Sequence, residues 1–425
     1  YWSSLVGGAL FTFANYHFAH AQGHLQLVAL EWLPLFLLCW QRLLVAPGMW
    51  RALAAAGALL LVQLCDYYYF FYCVLAGGLL LAWHWWHTGR GRHYLDRARL
   101  AALAVFAVAA AALTGPLPAA LFLLNRRDPL GGEHPAAAFS LDLLAPAIPG
   151  GHWRFASLTA GYWSRLPGNI HESSVQVGVS VLLLLALIWA RRRDVAAPTL
   201  HYWYLVGAAF GLLALGPVLH VAGRAVPATD GLMPYALLAR AFPPLRLAGM
   251  PVRMVVLVQL GAAMICALGL PALWRAGPRW RALTALLLAL AVVEYLPAPL
   301  PESHPAPPPY LAVLQARPDH LAVLDTATDQ YRALYYQTLH GRPLAFGYVS
   351  RLPASVAARD AALMDLVRAR RYDALARAGF GYLILPPADA AGAPPCAAPL
   401  YRDAATTVYA VAACAGPRRV LSDER

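Results

Sequence analysis

The chain has 425 residues, of which 60% are hydrophobic and 13% charged, and its mean hydropathy is +0.52. Soluble domains carry about a quarter charged residues, so this balance excludes a chain that is soluble throughout. The net charge is +12, but the arginines are scattered between apolar segments instead of forming one patch, which excludes nucleic acid as a partner. The composition therefore predicts a membrane protein with bound lipid.

Apolar runs that read as membrane spans occur throughout residues 1–297. The chain begins at Tyr1 rather than Met, and its first run is shorter than the roughly 20 residues that a span needs, so we expect an N-terminal segment upstream. The run at 52–65 is also short and predicts a tilted or partly re-entrant hairpin with the next run. The predicted spans, about nine in all, are 1–14, 25–45, 52–65, 67–86, 100–124, 174–190, 202–221, 252–273 and 282–297.

The connections between these runs predict an orientation. Four connections are rich in arginine and are separated from each other by two spans: 42–51, 90–99, 191–193 and 275–281. Lys and Arg near span ends are retained in the cytoplasm. We therefore expect residues 15–24, Asp66, 125–172, 224–251 and everything after 297 on the outer side of the membrane.

The region after residue 297 predicts a second domain. Residues 298–309 are proline-rich and read as a stiff linker, between a transmembrane domain at 1–297 and an extracytoplasmic α/β domain at 310–425. We predict strands at 320–325, 382–385 and 406–411, and helices at 331–340 and 356–370. Because the domain is expected outside the cytoplasm, we hypothesise a disulfide between Cys396 and Cys414.

A histidine-rich turn follows the first run. His17, His20 and His24 would share a face if the turn were helical. Imidazole suits several transition metals, but no HExxH frame is present and histidines at a membrane interface are usually solvated. We assign no metal site and no cofactor from the sequence, and leave a divalent ion open.

Three acidic residues lie at predicted outer helix ends. Glu31 is expected about two turns into an apolar helix, just before Pro34. An acidic side chain at the centre of such a helix costs roughly 2.5 to 3.5 kcal/mol. Glu31 is therefore expected either to face a cavity or to hydrogen-bond a backbone group that Pro34 leaves unpaired. Asp66 precedes tyrosines of an expected interfacial belt and is a favourable helix N-cap. Glu172 suits a helix start, with sugar-binding or acid–base chemistry as the alternative.

A proline-braced loop at 241–253 presents Arg246 and Arg253. A guanidinium group donates in a fixed fork that suits phosphate. The alternatives are an ion pair with Asp142 or Glu172, or anchoring to lipid head groups. We expect this loop, His24 and Glu31 to converge on one outer cavity.

Several segments together suggest a family. They are His20, His24 and residues 31–34, then 140–146, 172–178, 215–217, 245–253, 340–343 and 347–351. In these segments the chain resembles the bacterial multi-pass glycosyltransferases of the GT-C fold and their uncharacterised membrane relatives. The resemblance covers most of the chain and implies a mainly α, polytopic transmembrane helical bundle (GT-C-like) in the bacterial inner membrane.

The resemblance implies a sugar donor linked to polyprenyl phosphate and an extracytoplasmic acceptor, which is a glycan, a lipid or a protein. In that fold the catalytic acid follows the first span, so we expect it upstream of Tyr1 and assign no catalytic residue here. Two other readings stay open. One is a transporter or flippase with Glu31 and Asp66 lining a polar path, and the other is a non-catalytic assembly protein for cell-surface polymers.

Overall fold

The computed structural model describes residues 1–88, 96–131, 134–242, 245, 249–302, 306–349 and 351–416. It is mainly helical, with a small strand region near the C-terminus, which confirms the predicted fold class at that level. The chain divides into two compact units, Tyr1–Ala119 with His134–Pro301, and Ala120–Glu133 with Glu302–Arg425. Residues 120–133 thus group with the C-terminal region, although they precede it by almost 170 residues.

Helices account for most of the described residues before 302. They are α1 (Trp2–Thr12), α2 (Asn15–His20), α3 (Trp32–Val45), α4 (Met49–Cys65), α5 (Tyr67–Thr88), α6 (Arg97–Thr114), α7 (Pro116–Arg127), α8 (Ala160–Trp163), α9 (Ile170–Ser173), α10 (Val179–Ala190), α11 (Leu200–Ala214), α12 (Pro234–Ala241), α13 (Val255–Arg275) and α14 (Pro278–Glu294). Short 3-10 turns stand at Leu25–Leu27, Ala156–Thr159, Arg192–Asp194, Pro227–Thr229 and Pro251–Met254.

Four segments among the described residues are long and apolar enough to cross a membrane: Leu25–Val45, Tyr67–His87, Arg97–Thr114 and Pro251–Arg275. Met49–Cys65, Val179–Ala190 and Leu200–Ala214 are apolar but shorter. The surface of α6 is apolar, as a surface that faces lipid should be: Val108 is 71% exposed and Leu113 is 45% exposed. Apolar surface of this kind is covered by lipid in a membrane protein.

The run predicted as one span at 100–124 is two helices. Helix α6 ends at Thr114, and α7 begins with Pro116 at its first position. Proline has no backbone N–H, and its fixed φ suits the first turn of a helix better than the interior. Pro116 therefore causes the break at Gly115. A hydropathy profile does not detect this break, because the residues on both sides are apolar.

Helix α13 forms the core of the first unit and packs against α1, α10, α11 and α14. Small residues allow the close crossing with α1. A Cβ on Gly7 would lie 2.7 Å from the Ala263 carbonyl oxygen and 2.8 Å from the Ala267 Cβ. Such approach of two backbones is typical of packing between membrane helices. A second group within the unit consists of α4 packed against α3, α5 and α6.

The C-terminal unit contains a four-stranded sheet. Strands are numbered along the chain as β1 (Leu130–Gly131), β2 (His220–Val221), β3 (Arg224–Ala225), β4 (Ala322–Asp325), β5 (Leu352–Pro353), β6 (Phe380–Leu385), β7 (Ala398–Arg402) and β8 (Thr407–Ala410). The sheet order is β4-β6-β8-β7, with β4 and β6 parallel and the other pairs antiparallel. Its helices are α15 (Tyr310–Gln315), α16 (Gln330–His340), α17 (Ala354–Arg368), α18 (Tyr372–Arg377) and α19 (Pro387–Ala390), followed by a 3-10 turn at Ala412–Ala415.

A disulfide and a buried arginine link separate segments of this unit. Cys396 and Cys414 form a disulfide across a Cα–Cα distance of 5.0 Å, which ties the segment before β7 to the turn after β8. Arg342 is buried; its Nη1 donates to Asp319 at 2.7 Å, and its guanidinium lies 4.6 Å from the Tyr382 ring centroid. Arg342, which belongs to the segment 340–343 behind the family resemblance, is thus built into the core of this unit, while Gly341 and Pro343 are exposed.

Candidate functional site

The histidine-rich turn folds back toward a later loop. Helix α2 ends at His20, and His24 stands after it, just before the 3-10 turn at residue 25, so the two do not share a helix face. They still meet, with ring centroids 5.6 Å apart. His17 lies apart, with its Nδ1 2.7 Å from the Thr12 carbonyl oxygen. The turn therefore presents a pair of imidazoles and not the predicted triplet.

His20 is fully buried and its ring is oriented by the backbone. Its Nδ1 lies 2.8 Å from the Tyr16 carbonyl oxygen, which can only accept, so Nδ1 carries the proton of that bond. The other ring nitrogen, Nε2, lies 3.3 Å from Oε2 of Glu172. A residue 152 positions along the chain thus becomes the neighbour of His20.

Glu172 reaches this position from the short helix α9. Asn169 caps that helix by accepting bonds from the backbone N–H groups of His171 and Glu172, each at 3.0 Å. Asparagine is among the preferred N-cap residues, which fixes where the carboxylate emerges. Glu172 is 2% exposed.

Arg253 is the main partner of Glu172. Its Nε donates to the two carboxylate oxygens at 3.0 and 3.1 Å, its Nη2 also donates to Oε1, and the guanidinium lies 4.8 Å from the Tyr68 ring centroid. Of the alternatives for Arg253, the structure shows the ion pair with Glu172. The fork that was expected to bind a phosphate is turned toward a carboxylate, because a buried acid needs a fixed counter-charge.

The charges around Glu172 keep it ionised. Burial alone would raise the pKa of its carboxyl, but the hydrogen bonding and charge of His20 and Arg253 outweigh burial and hold that pKa well below its usual range. For His24, burial above all and then the charge of Arg253 lower the pKa to about 4. At neutral pH this site therefore contains a carboxylate beside a neutral imidazole.

Two further histidines complete the cluster, and the sequence analysis missed both as site residues. His152 Nε2 lies 3.1 Å from His171 Nδ1, and the side-chain N–H of Gln22 donates to His152 Nδ1 at 2.9 Å. Burial, followed by the neighbouring histidines, lowers the pKa of His152 to about 4. His171 could have been found as the neighbour of Glu172, whereas His152 stands in a loop with no periodic signal.

Asp66 approaches the cluster from the start of α5. Its Oδ1 accepts from the backbone N–H groups of Tyr68 and Tyr69, at 2.7 and 3.4 Å, which is the capping role considered for it. Burial raises the pKa of its carboxyl to about 6, and the charge of Arg253 partly opposes this. Asp66 is thus a buried acid that titrates near neutrality within the electrostatic field of Arg253 and Glu172.

The tyrosines after Asp66 differ from the expected interfacial belt. Tyr69 is fully buried, donates to the Leu27 carbonyl oxygen at 2.7 Å and lies 3.1 Å from the Tyr16 hydroxyl. Only Tyr67 is exposed to the degree that a belt requires. Tyr69 instead joins the start of α5 to the histidine-rich turn, because a buried hydroxyl needs a partner.

Two predicted site residues do not enter this cluster. Glu31 is exposed and stands at the N-cap of α3, before the helix rather than two turns inside it. Pro34 explains the shift, since proline is accommodated in the first turn, where its missing N–H has no partner to lose. Arg246 lies outside the described residues. The structure therefore brings His24 and Arg253 to the same carboxylate, Glu172, and does not bring Glu31 there; neither His24 nor Arg253 lines the pocket described next.

A surface pocket borders the cluster. Its volume is about 10 Å³, which is room for about one water molecule. Its lining includes Ser140, Asp142, Leu166, Glu172, Ser173 and Val252. Asp142 is committed to the loop structure: its Oδ1 accepts from the Tyr162 hydroxyl at 2.9 Å and its Oδ2 from the Gly223 backbone N–H at 2.7 Å. Glu172 is the one acid shared by the pocket wall and the histidine cluster among the described residues.

Comparison with known proteins adds no name to this geometry. No protein-family model, no curated protein and no solved structure matches the chain.

Proposed function

We propose that this chain is a membrane glycosyltransferase that moves a sugar from a polyprenyl-phosphate donor to an acceptor outside the cytoplasm. The observation that carries the proposal is the buried, ionised Glu172 in the wall of a surface pocket. Transfer at a sugar carbon develops positive charge on the ring, which a fixed carboxylate stabilises. The resemblance to the GT-C enzymes supplies the donor class.

Glu172 acts in this proposal by its charge. A carboxyl whose pKa is held low by Arg253 and His20 is a poor proton acceptor, because general-base catalysis is most effective with a pKa near the working pH. The same low pKa keeps the negative charge present at every pH of interest. Arg253 then serves as a positioning residue that fixes the carboxylate and keeps it ionised.

Asp66 is our candidate for the general base toward the acceptor hydroxyl, on the ground of its pKa, and it lies outside the lining of the pocket beside Glu172. A pKa near 6 leaves most of the carboxyl ionised at pH 7 and still able to take a proton. The backbone N–H groups of α5 bind its Oδ1, so the helix cap does not use Oδ2. The cap also holds the side chain in one place, as catalysis requires.

The pocket is narrow in this structure. Its volume of about 10 Å³ is room for about one water molecule, so the proposal requires the pocket to widen when a sugar binds. The polyprenyl chain would remain in the membrane beside the apolar helices.

The test is a transfer assay on the protein expressed from its native gene and reconstituted in liposomes. Radiolabelled monosaccharides on polyprenyl phosphate are supplied with a membrane extract as acceptor source. We expect label to move to acceptor with wild-type protein, and the Asp66→Asn variant to lose at least 100-fold in turnover, the lower end of what general-base catalysis contributes.

The alternatives give different results in the same liposomes. A flippase would move the intact labelled donor across the bilayer without breaking its phosphate–sugar bond. An assembly protein would do neither, and would retain polymer on the liposome. Either result with wild-type protein contradicts the proposed transfer.

A further inference from the structure

The contact between His20 and Glu172 is unusual for a hydrogen bond. His20 Nδ1 carries the proton given to the Tyr16 carbonyl. Nε2 therefore faces Oε2 of Glu172 either with a second proton, the charged ring that lowers the pKa of Glu172, or, in a neutral ring, with a lone pair. Two acceptors then face each other in a buried site. Only a second ring proton or a bound cation relieves that repulsion.

The distance between these atoms distinguishes the two cases. A charge-assisted N–H···O bond is about 2.7 to 2.9 Å long, whereas Nε2 and Oε2 are 3.3 Å apart. Ligand bonds of about 2.0 to 2.1 Å in a tetrahedral zinc site place neighbouring ligand atoms roughly 3.3 to 3.4 Å from each other. The observed separation is longer than a charge-assisted bond and matches the spacing of two ligands on one ion.

His24 supplies a third ligand atom. Its Nδ1 is buried and has no hydrogen-bond partner among the described residues. The ligand atoms of His20, His24 and Glu172 all lie within 4.8 Å of one another. Closing the widest pair to a tetrahedral edge takes a shift on the order of 1 Å, which a turn such as residues 21–24 can supply.

The surroundings orient these ligands as a metal site requires. The Tyr16 carbonyl fixes the His20 ring. Arg253 donates twice to Oε1 of Glu172 and once to Oε2, so a second lone pair on Oε2 remains for an ion. Metal-binding histidines and carboxylates generally have such outer partners. The charges also permit a cation, since Asp66 and Glu172 provide two negative charges against one positive charge on Arg253.

We propose that His20, His24 and Glu172 bind one divalent transition-metal ion, with Zn²⁺ the ion best suited to two imidazoles and a carboxylate. Three protein ligands leave a fourth position open for water or a ligand oxygen, as in catalytic rather than structural zinc sites. The proposal concerns binding and holds whether or not the protein transfers a sugar.

The experiment measures metal directly. The protein, expressed from its native gene and purified without chelator, is equilibrated with Zn²⁺, passed through metal-free buffer and analysed by mass spectrometry for metal per chain. We expect about one tightly held ion. The Co²⁺-loaded protein should show the visible absorption bands of a tetrahedral ion.

Variants locate the ion. His24→Ala should bind Zn²⁺ on the order of 100-fold or more weakly, since even outer partners of metal ligands contribute 10- to 100-fold. Glu172→Gln should do the same. His17→Ala is the matched control, because His17 lies on the same turn and its ring nitrogen pairs with the Thr12 carbonyl oxygen, away from Glu172; it should keep full stoichiometry. Circular dichroism and size exclusion verify that each variant is folded.

Three results would overturn the proposal. If the wild-type protein retains no stoichiometric ion, the 3.3 Å contact is a hydrogen bond that a protonated His20 donates to Glu172. Unchanged affinity in folded His24→Ala and Glu172→Gln would place the metal elsewhere. Equal loss in His17→Ala would indicate a loose surface ion.

Discussion

At the residue scale, the site depends on a charged pair that is almost completely removed from water. Glu172 and Arg253 are 2% and 4% exposed. Desolvating two charges is costly, so such a pair persists only when geometry and hydrogen bonds are nearly ideal. Here the carboxylate receives bonds from Nε and Nη2, and the guanidinium lies over Tyr68. A buried pair of this kind adds little net stability, but it fixes one orientation of the carboxylate.

We expect Arg253→Gln to lower the free energy of unfolding by about 3 to 5 kcal/mol, because it leaves Glu172 buried without its counter-charge. Combining it with Glu172→Gln should cost less than the sum of the two single variants. Thermal unfolding in detergent, followed by size exclusion, measures all three. Additive effects would contradict the direct coupling of the two side chains.

The pH dependence of stability provides a second test at this scale. His152 has its pKa lowered to about 4, from an ordinary value of 6.5, so it contributes stability that is lost as pH falls from about 6.5 toward 4. Asp66 has its pKa raised to about 6, from 3.8, so its contribution is lost as pH rises through that interval. The two effects oppose each other between pH 4 and 6.

Removing either group should expose the effect of the other. Relative to wild type, Asp66→Asn should make stability fall more steeply on acidification, and asparagine preserves the helix cap. His152→Asn should make it fall less steeply. Denaturation across pH 4 to 7 with excess chelator measures the slopes. If stability has the same pH slope in all three proteins, burial does not shift the pKa of Asp66 or of His152 in the expected direction.

At the element scale, the packing of α1 against α13 determines which small residues are required. Gly7 has no space for a side chain, since its Cβ would lie 2.7 Å from a backbone oxygen of α13, whereas a Cβ on the adjacent Gly8 meets no atom within 4 Å. Backbone cannot move aside as a flexible side chain can. The two neighbouring glycines thus form a natural pair for comparison.

Gly7→Ala should destabilise the protein by about 1 to 3 kcal/mol through overpacking. Gly8→Ala should be neutral or stabilise it by up to about 1 kcal/mol, because alanine is the better helix former. The unfolding midpoint in detergent compares the two. Equal midpoints would show that α1 does not pack on α13 in this register.

Sequence periodicity predicted elements better than it predicted the site. The runs at 25–45, 67–86 and 252–273 correspond to long apolar segments, since burial in lipid leaves a continuous pattern. The break at Pro116 and the start of α3 after Glu31 depend on local proline effects that hydropathy ignores. The link from His20 to Glu172 crosses 152 residues, and no local pattern encodes which distant loop a turn will contact.

At the scale of the whole molecule, two features favour the proposed orientation in the membrane. The arginine-rich connections predict a C-terminal unit outside the cytoplasm. The disulfide between Cys396 and Cys414 suits an oxidising compartment. We expect thiol labelling of denatured protein from intact cells to modify both cysteines only after reduction.

A reporter fusion after Pro309 checks the same orientation without relying on the cysteines. Alkaline phosphatase, which folds only outside the cytoplasm, should be active, and a cytoplasmic fluorescent reporter should be dark. The reverse pattern would place the C-terminal unit in the cytoplasm. The proposed acceptor side would then have to change with it.

The central claim, that the cluster around Glu172 is the functional site, is tested most directly by the turnover of Glu172→Gln in the transfer assay, normalised to folded protein. The matched control is Glu294→Gln, since Glu294 also accepts hydrogen bonds, from the backbone of Ser180 at 3.2 and 3.3 Å, but lies outside the cluster. We expect Glu172→Gln to lose on the order of 100-fold or more, as when a group that stabilises transition-state charge is removed, and Glu294→Gln to remain within about twofold of wild type. Wild-type turnover in folded Glu172→Gln, or an equal loss in both variants, would contradict the claim.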